Sequence, residues 1–213
     1  MKQSLSYCIV LGLVLILAQG VLANPLPILD CGWEDGETVL GLFGTGDPPI
    51  LATNVGAPDP VFSGDYSLRL EDNSPTGTPQ AFVAYVWGLT DGQVITAGFW
   101  RYDDTPDGSP SCRIWAHWND ELPDNPDANS GSAGGNGEYG DGLGWDETTW
   151  EWTVADGHTG LVIEVRTYSG PGDTVWIDEM FIIPPDDCWV MTPCFTVVAN
   201  ATASFGHIKA LYR

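Results

Sequence analysis

Short segments in which apolar and polar residues alternate follow one another along most of the chain. The segment 112–118, CRIWAHW, places Arg113, Trp115 and His117 at every second position, with smaller or apolar residues between them. A strand turns successive side chains to opposite faces. The segment therefore predicts a strand that carries arginine, tryptophan and histidine on one face.

Further segments between clusters of turn residues show the same two-residue period or are apolar on both phases. They cover 66–70, 81–89, 93–103, 148–154, 160–169 and 174–183. No segment after the N-terminal region has a sustained helical period, and 26 glycines and 16 prolines supply turns. The pattern predicts an all-β fold, an antiparallel jelly-roll β-sandwich over residues 24–184. The glycine-rich stretch 119–147 is expected to be one long loop.

Both ends of the chain differ from this middle part. Residues 1–23 contain Lys2, then a long apolar stretch and small residues before Asn24, which is typical of a cleaved signal peptide. We expect a secreted or cell-surface protein without membrane insertion after cleavage, and a membrane anchor is the alternative. Residues 185–213 are expected to form a short C-terminal tail, and a sorting or anchoring segment and a frayed chain end are the two interpretations of it.

The chain is strongly acidic, with a formal net charge of −22. Nucleic acid and anionic membrane surfaces are therefore not expected as partners. A calcium-rich or saline exterior suits such a chain, although acidic surfaces also serve solubility alone. Nothing in the composition indicates the oligomeric state.

Four cysteines follow the predicted signal peptide: Cys31, Cys112, Cys188 and Cys194. An even number of cysteines in an exported protein predicts disulfides. The short spacing of Cys188 and Cys194 permits a local loop, which would leave Cys31 to pair with Cys112. This is one of several possible pairings.

Three motifs occur in a familiar order: CGWEDG at 31–36, SGDYSLRL at 63–70 and VWIDEMFI at 175–182. Together they resemble the galactose-binding-like β-sandwich domains of secreted bacterial proteins, which include many carbohydrate-binding modules. The resemblance implies a jelly-roll fold that binds a carbohydrate or a cell-surface glycan.

The same resemblance implies a structural calcium ion where the first and last strands meet. Glu34 and Asp178 match the carboxylates of that site, and Asp65 lies in the turn that completes it. Calcium takes several oxygen ligands, so carboxylates from distant segments would tie the ends of the sandwich together. Exposed turn and edge charges are the alternative interpretation.

A ligand-binding face follows if the polar positions of several strands converge. The candidate side chains are Arg101, Arg113, Trp115, His117, Glu164, Arg166 and Tyr168. Aromatic rings would cover the C–H side of a pyranose, while the polar groups would bond its hydroxyls. Polar packing such as Arg113 with Glu164 is the structural alternative, and the loop residues Tyr139 and Trp145 are an alternative site.

Four other tryptophans are expected in the hydrophobic core and not on the ligand-binding face: Trp87, Trp100, Trp118 and Trp176.

The sequence does not contain the motifs of the common hydrolases, metalloproteases or phosphate-binding enzymes. The expected function is a secreted, non-catalytic carbohydrate-binding module. A structural or adhesive module of the cell envelope is one alternative. A jelly-roll polysaccharide lyase that uses tyrosine, histidine and arginine is another.

Overall fold

Two antiparallel sheets pack against each other across one apolar core. A computed structural model describes residues 28–104, 112–138, 144–168 and 170–198. The predicted signal peptide (1–23) and the end of the predicted tail lie outside these residues. No helix in the described ranges is long and apolar enough to cross a membrane.

The strands are short and joined by turns. In chain order they are β1 (Leu29–Cys31), β2 (Gly41–Phe43), β3 (Ile50–Gly56), β4 (Tyr66–Asp72), β5 (Gln80–Trp87), β6 (Val94–Asp103), β7 (Cys112–Trp118), β8 (Gly131–Gly135), β9 (Gly144–Thr153), β10 (Gly160–Thr167), β11 (Thr174–Ile183), β12 (Trp189–Met191) and β13 (Thr196–Val198).

The strands form a six-stranded and a seven-stranded sheet. The six-stranded sheet has the order β3-β4-β11-β6-β9, with β1 paired to β11. The seven-stranded sheet has the order β13-β12-β5-β10-β7-β8, with β2 paired to β5. The predicted all-β antiparallel sandwich is confirmed.

The inward faces of both sheets build the core with the two-residue period that the sequence shows. On β10, for example, Leu161, Ile163 and Val165 all point into the core and are completely buried. A second, small apolar cluster lies on the opposite face of the seven-stranded sheet, where Phe82, Tyr85 and Val162 pack together. This second cluster explains why β5 is apolar on both phases.

The sandwich extends further than the predicted boundary at residue 184. Strand β12 pairs with β5, so that Trp189 lies opposite Trp87, and β13 pairs with β12. Residues 189–198 therefore add two strands to the seven-stranded sheet. The segment 119–147 is also more ordered than a single loop, because it contains β8 and the start of β9.

A disulfide joins Cys31 of β1 to Cys194, just before β13, across a sequence separation of 163 residues. The pairing considered from the sequence, Cys31 with Cys112 and Cys188 with Cys194, is therefore wrong. Cys188 is a buried thiol whose Sγ donates to the carbonyl of Pro185 at 3.2 Å. The disulfide links the six-stranded sheet to the seven-stranded sheet near both ends of the described chain.

Removal of this disulfide is expected to destabilise the protein strongly. Closing a loop of this length limits the unfolded chain enough to contribute about 5 kcal/mol in the chain-entropy model. We predict that Cys194→Ser lowers the free energy of unfolding, measured by urea denaturation, by about this amount. A Cys31→Ser/Cys194→Ser double variant should be insensitive to reductant. If the wild-type protein unfolds at the same urea concentration with and without reductant, the account of the disulfide is wrong.

Candidate functional site

Most of the predicted ligand-binding side chains lie on the outer face of the seven-stranded sheet, the face directed away from the core. Strands β7 and β10 pair so that Arg113 lies opposite Arg166, and Trp115 opposite Glu164. Directly opposed residues of an antiparallel pair point to the same face. His117 lies one pair further along, opposite Val162.

Glu164 is the centre of a polar network on this face. Its side chain is completely buried, and its Oε1 contacts Nδ1 of His117. Its Oε2 accepts a hydrogen bond from Nε of Arg166 at 2.8 Å. With its amide nitrogen toward this carboxylate, Gln80 donates to Glu164 at 3.0 Å and accepts from Arg166 at 3.2 Å. Three side chains from three strands thus compensate one buried charge.

Two guanidinium groups lie over aromatic rings at the half-exposed end of the face. Cζ of Arg166 is 4.7 Å from the ring centroid of Trp115, and Cζ of Arg113 is 4.6 Å from that of Tyr168. The indole Nε1 of Trp115 donates to Oγ of Ser132 on β8 at 3.2 Å. These contacts fix the orientation of the rings and of the guanidinium donors at the surface.

The other end of the face is covered by apolar side chains. Leu40, Leu122 and Met191 pack around the cluster of Phe82, Tyr85 and Val162. Burial raises the pKa of Tyr85 to about 12, so the phenol stays neutral.

Beyond this cover, Trp87 stacks on Trp189 with ring centroids 6.0 Å apart and planes 7° apart. Sequence reasoning missed Gln80, Phe82 and Trp189 as members of this face. The apolar run of β5 predicted a buried strand. It did not show that Gln80 and Phe82, near the start of this strand, point away from the core.

Arg101 does not belong to this face. It lies on β6 of the six-stranded sheet, points inward and is 2% exposed. Its Nη2 and Nε bind both oxygens of Asp146, with 2.8 Å from Nη2 to Oδ2, and its Nη1 donates to the carbonyls of Cys112 and Glu138. The expectation that Arg101 shares a face with Arg113 and Arg166 is therefore wrong. The alternation of polar and apolar residues along a strand does not show which of the two sheets the strand joins.

The tryptophans also differ from the expectation that four of them form the core. Trp33 and Trp152 are the tryptophans that belong to the core cluster, and Trp118, at the end of β7, is partly buried against it. Trp100 and Trp176 lie on the outer face of the six-stranded sheet, near the aromatic residues Phe62, Tyr102 and Trp145. Trp176 is nevertheless buried there, 7% exposed. Tyr139, considered together with Trp145 as an alternative site, lies outside the described residues.

The predicted calcium residues lie near the junction of β1, β4 and β11, where two of their carboxylates accept backbone hydrogen bonds. Both carboxylate oxygens of Glu34 accept from the N–H of Asp65, at 3.2 and 3.1 Å. Asp178 accepts from the N–H groups of Phe62 and Ser63, at 2.9 and 3.1 Å. Gly64 has φ of +70°, and a Cβ there would overlap the Glu34 carboxylate, so this turn requires glycine.

Backbone N–H groups, including that of Asp65, therefore donate hydrogen bonds to the carboxylates of Glu34 and Asp178. Burial raises the pKa of Asp178 to about 6, and the charge of Glu179 adds to this effect, while N–H donors act against it. Among the described residues, no three His, Cys, Asp or Glu side chains lie where they could hold one metal ion. The three-carboxylate set Glu34, Asp65 and Asp178 therefore does not assemble, and calcium binding stays a prediction.

Comparison with solved structures identifies the architecture. The CBM22-1 xylan-binding domain of Xyn10C from Paenibacillus barcinonensis matches with a TM-score of 0.50 at 15% identity, over 76% of this chain and 97% of that domain. The CBM22-1–CBM22-2 tandem of the same protein gives 0.53 at 12% identity, over 84% of this chain and 49% of the tandem. The chain thus shares its β-sandwich fold with these xylan-binding domains.

The same fold also occurs in an adhesin. The K1 cleaved adhesin domain of Lys-gingipain from Porphyromonas gingivalis W83 matches with a TM-score of 0.50 at 12% identity, over 75% of this chain and 99% of that domain. No protein-family model and no curated protein matches the sequence. At these identities the likeness describes the fold, so function must be argued from the side chains.

Replacement of Arg101 should cost stability. Arg101→Met leaves Asp146 without its bidentate partner and removes the hydrogen bonds from Nη1 to the carbonyls of Cys112 and Glu138. We predict a loss of about 3 kcal/mol in the free energy of unfolding. The matched control is Arg69→Met, because Arg69 forms a partly exposed pair with Glu71, and its loss should cost less than about 1 kcal/mol. Equal effects of the two substitutions would contradict the buried role of Arg101.

The calcium prediction can be tested by thermal melting. If calcium binds at Glu34 and Asp178, an ion concentration about 100 times Kd stabilises the folded state by about 2.7 kcal/mol. We expect the Tm to fall when EGTA replaces calcium and Glu34→Gln to abolish this response. An unchanged Tm would mean that the backbone N–H groups hold the turn around Gly64 in place without an ion.

Proposed function

We propose that the protein is a secreted, non-catalytic carbohydrate-binding module whose ligand lies on the outer face of the seven-stranded sheet. The observation that carries the proposal is the pair of partly buried rings, Trp115 and Tyr168, each with a guanidinium held over one face. The carbohydrate-binding-module fold supports the proposal at the level of architecture.

The chemistry of this end of the face suits a saccharide. The flat rings of Trp115 and Tyr168 offer apolar area to the C–H side of a pyranose. The nearby guanidinium groups of Arg113 and Arg166 offer several N–H donors to hydroxyl oxygens. Glu164 and Gln80 hold Arg166 before any ligand arrives, which lowers the entropic cost of binding.

The burial of His117 supports a binding function more than a catalytic one. A lyase on this face would need a base that reaches its substrate. His117 is 3% exposed, contacts the Glu164 carboxylate and lies beside the ring of Phe82, with centroids 5.4 Å apart. In this arrangement the imidazole supports the sheet and does not face a ligand.

Binding should depend on Trp115. We predict that the purified protein binds at least one saccharide on a glycan array that includes xylan and other plant and bacterial polysaccharides. Trp115→Ala should weaken that binding about tenfold or more in calorimetric titration, because it removes a central ring. Trp150→Ala is the matched control, since Trp150 is an exposed tryptophan at the edge of the other sheet.

The outcomes separate the proposal from its main alternative. Loss of binding with Trp115→Ala and normal binding with Trp150→Ala support the proposed face. Binding that survives Trp115→Ala places the ligand elsewhere on the module. No binding to any glycan would favour the structural or adhesive module of the cell envelope.

A further inference from the structure

A groove of about 690 Å³ lies on the outer face of the six-stranded sheet, remote from the face described above. Its apolar lining consists of Ile28, Phe62, Trp100, Phe181 and Ile183, and its polar lining of Asp30, Ser63 and Glu179. Its volume is within the range of small-ligand sites.

The floor of the groove follows from the pairing of β1, β11 and β6. Phe181 lies opposite Asp30 on one side and Gly98 on the other. A Cβ at Gly98 would be 2.7 Å from the ring of Phe181, so the glycine makes room for this ring. Phe62 stacks on Trp100 with centroids 4.1 Å apart and planes 13° apart, and it remains 40% exposed.

Two carboxylates without partners border this aromatic floor. Glu179 lies in the β-bulge of β11 with φ of +47°, and its backbone N–H donates to Asp178. Among the described residues, the carboxylates of Asp30 and Glu179 have neither a hydrogen-bond nor an ion-pair partner. Bulges and left-handed backbone at non-glycine residues are frequent next to binding sites.

We infer that this groove binds a cationic saccharide, an oligomer of amino sugars with free ammonium groups. Phe62 and the apolar floor contact the C–H face of a sugar ring, while Asp30 and Glu179 pair with ammonium groups and accept from hydroxyls. The strong negative charge of the chain favours a cation and disfavours an acidic glycan here. This site is separate from the proposed face on the other sheet and does not depend on it.

The polar lining favours a sugar over a basic peptide. Asp30 and Glu179 can only accept hydrogen bonds when ionised, and Ser63 adds one hydroxyl. The ammonium and hydroxyl groups of an amino sugar can all donate to these acceptors. For the backbone carbonyls of a peptide, the Ser63 hydroxyl is the one side-chain donor among these three residues.

The experiment compares glucosamine hexamer with its fully N-acetylated counterpart, which has the same backbone but no charge. Both are titrated calorimetrically into the full-length mature protein, at a pH below the pKa of the sugar amines. We expect the charged hexamer to bind about tenfold more tightly. Phe62→Ala and Glu179→Gln should each weaken it about tenfold, whereas Trp150→Ala, at an exposed tryptophan outside the groove, should leave its affinity unchanged.

Each outcome decides a separate point. Equal affinity for the two hexamers, or none for either, overturns the inference. A tetralysine peptide that binds more tightly than the glucosamine hexamer also overturns it and identifies a peptide site. Loss of binding with Trp115→Ala alone assigns the ligand to the seven-stranded sheet. Glu71→Gln, at a partly exposed position of the same sheet away from the groove, serves as the control for general charge effects.

Discussion

The outer face of the seven-stranded sheet depends on a single buried carboxylate. Glu164 carries its charge where solvent does not reach it, and it is compensated by Arg166, His117 and Gln80 from three adjacent strands. A buried charge without these partners would cost several kcal/mol. The arrangement therefore holds Arg166 in one position over Trp115. The position of the Arg166 guanidinium at the surface is therefore set by its ion pair with the buried Glu164 carboxylate.

The arginines of the described chain divide by sheet and by role. In the six-stranded sheet, Arg69 pairs with Glu71, and Arg101 with Asp146 and two carbonyls, so both are used within the fold. In the seven-stranded sheet, Arg113 and Arg166 lie over aromatic rings at a half-exposed surface. The same residue type therefore forms ion pairs within both sheets, and in the seven-stranded sheet it also lies over aromatic rings.

Properties local to one strand could be predicted from the sequence, and properties of pairing could not. The alternation in CRIWAHW correctly placed Arg113, Trp115 and His117 on one face, because the period of a strand is set by its backbone. Arg101 has the same local signature, but its sheet is decided by long-range pairing with β9 and β11. The Cys31–Cys194 disulfide was missed for the same reason, since it joins segments 163 residues apart. Strands β12 and β13 were missed because three-residue strands carry too little periodicity.

The central claim is that Glu164 organises a glycan-binding surface, and Glu164→Gln tests it most directly. The substitution preserves the shape of the side chain and removes the charge that holds Arg166. Calorimetric titration with the saccharide that gives the strongest array signal is the decisive measurement, with circular dichroism to confirm the fold. The account predicts an affinity at least about tenfold lower than that of the wild-type protein. An affinity equal to that of the wild-type protein would contradict it.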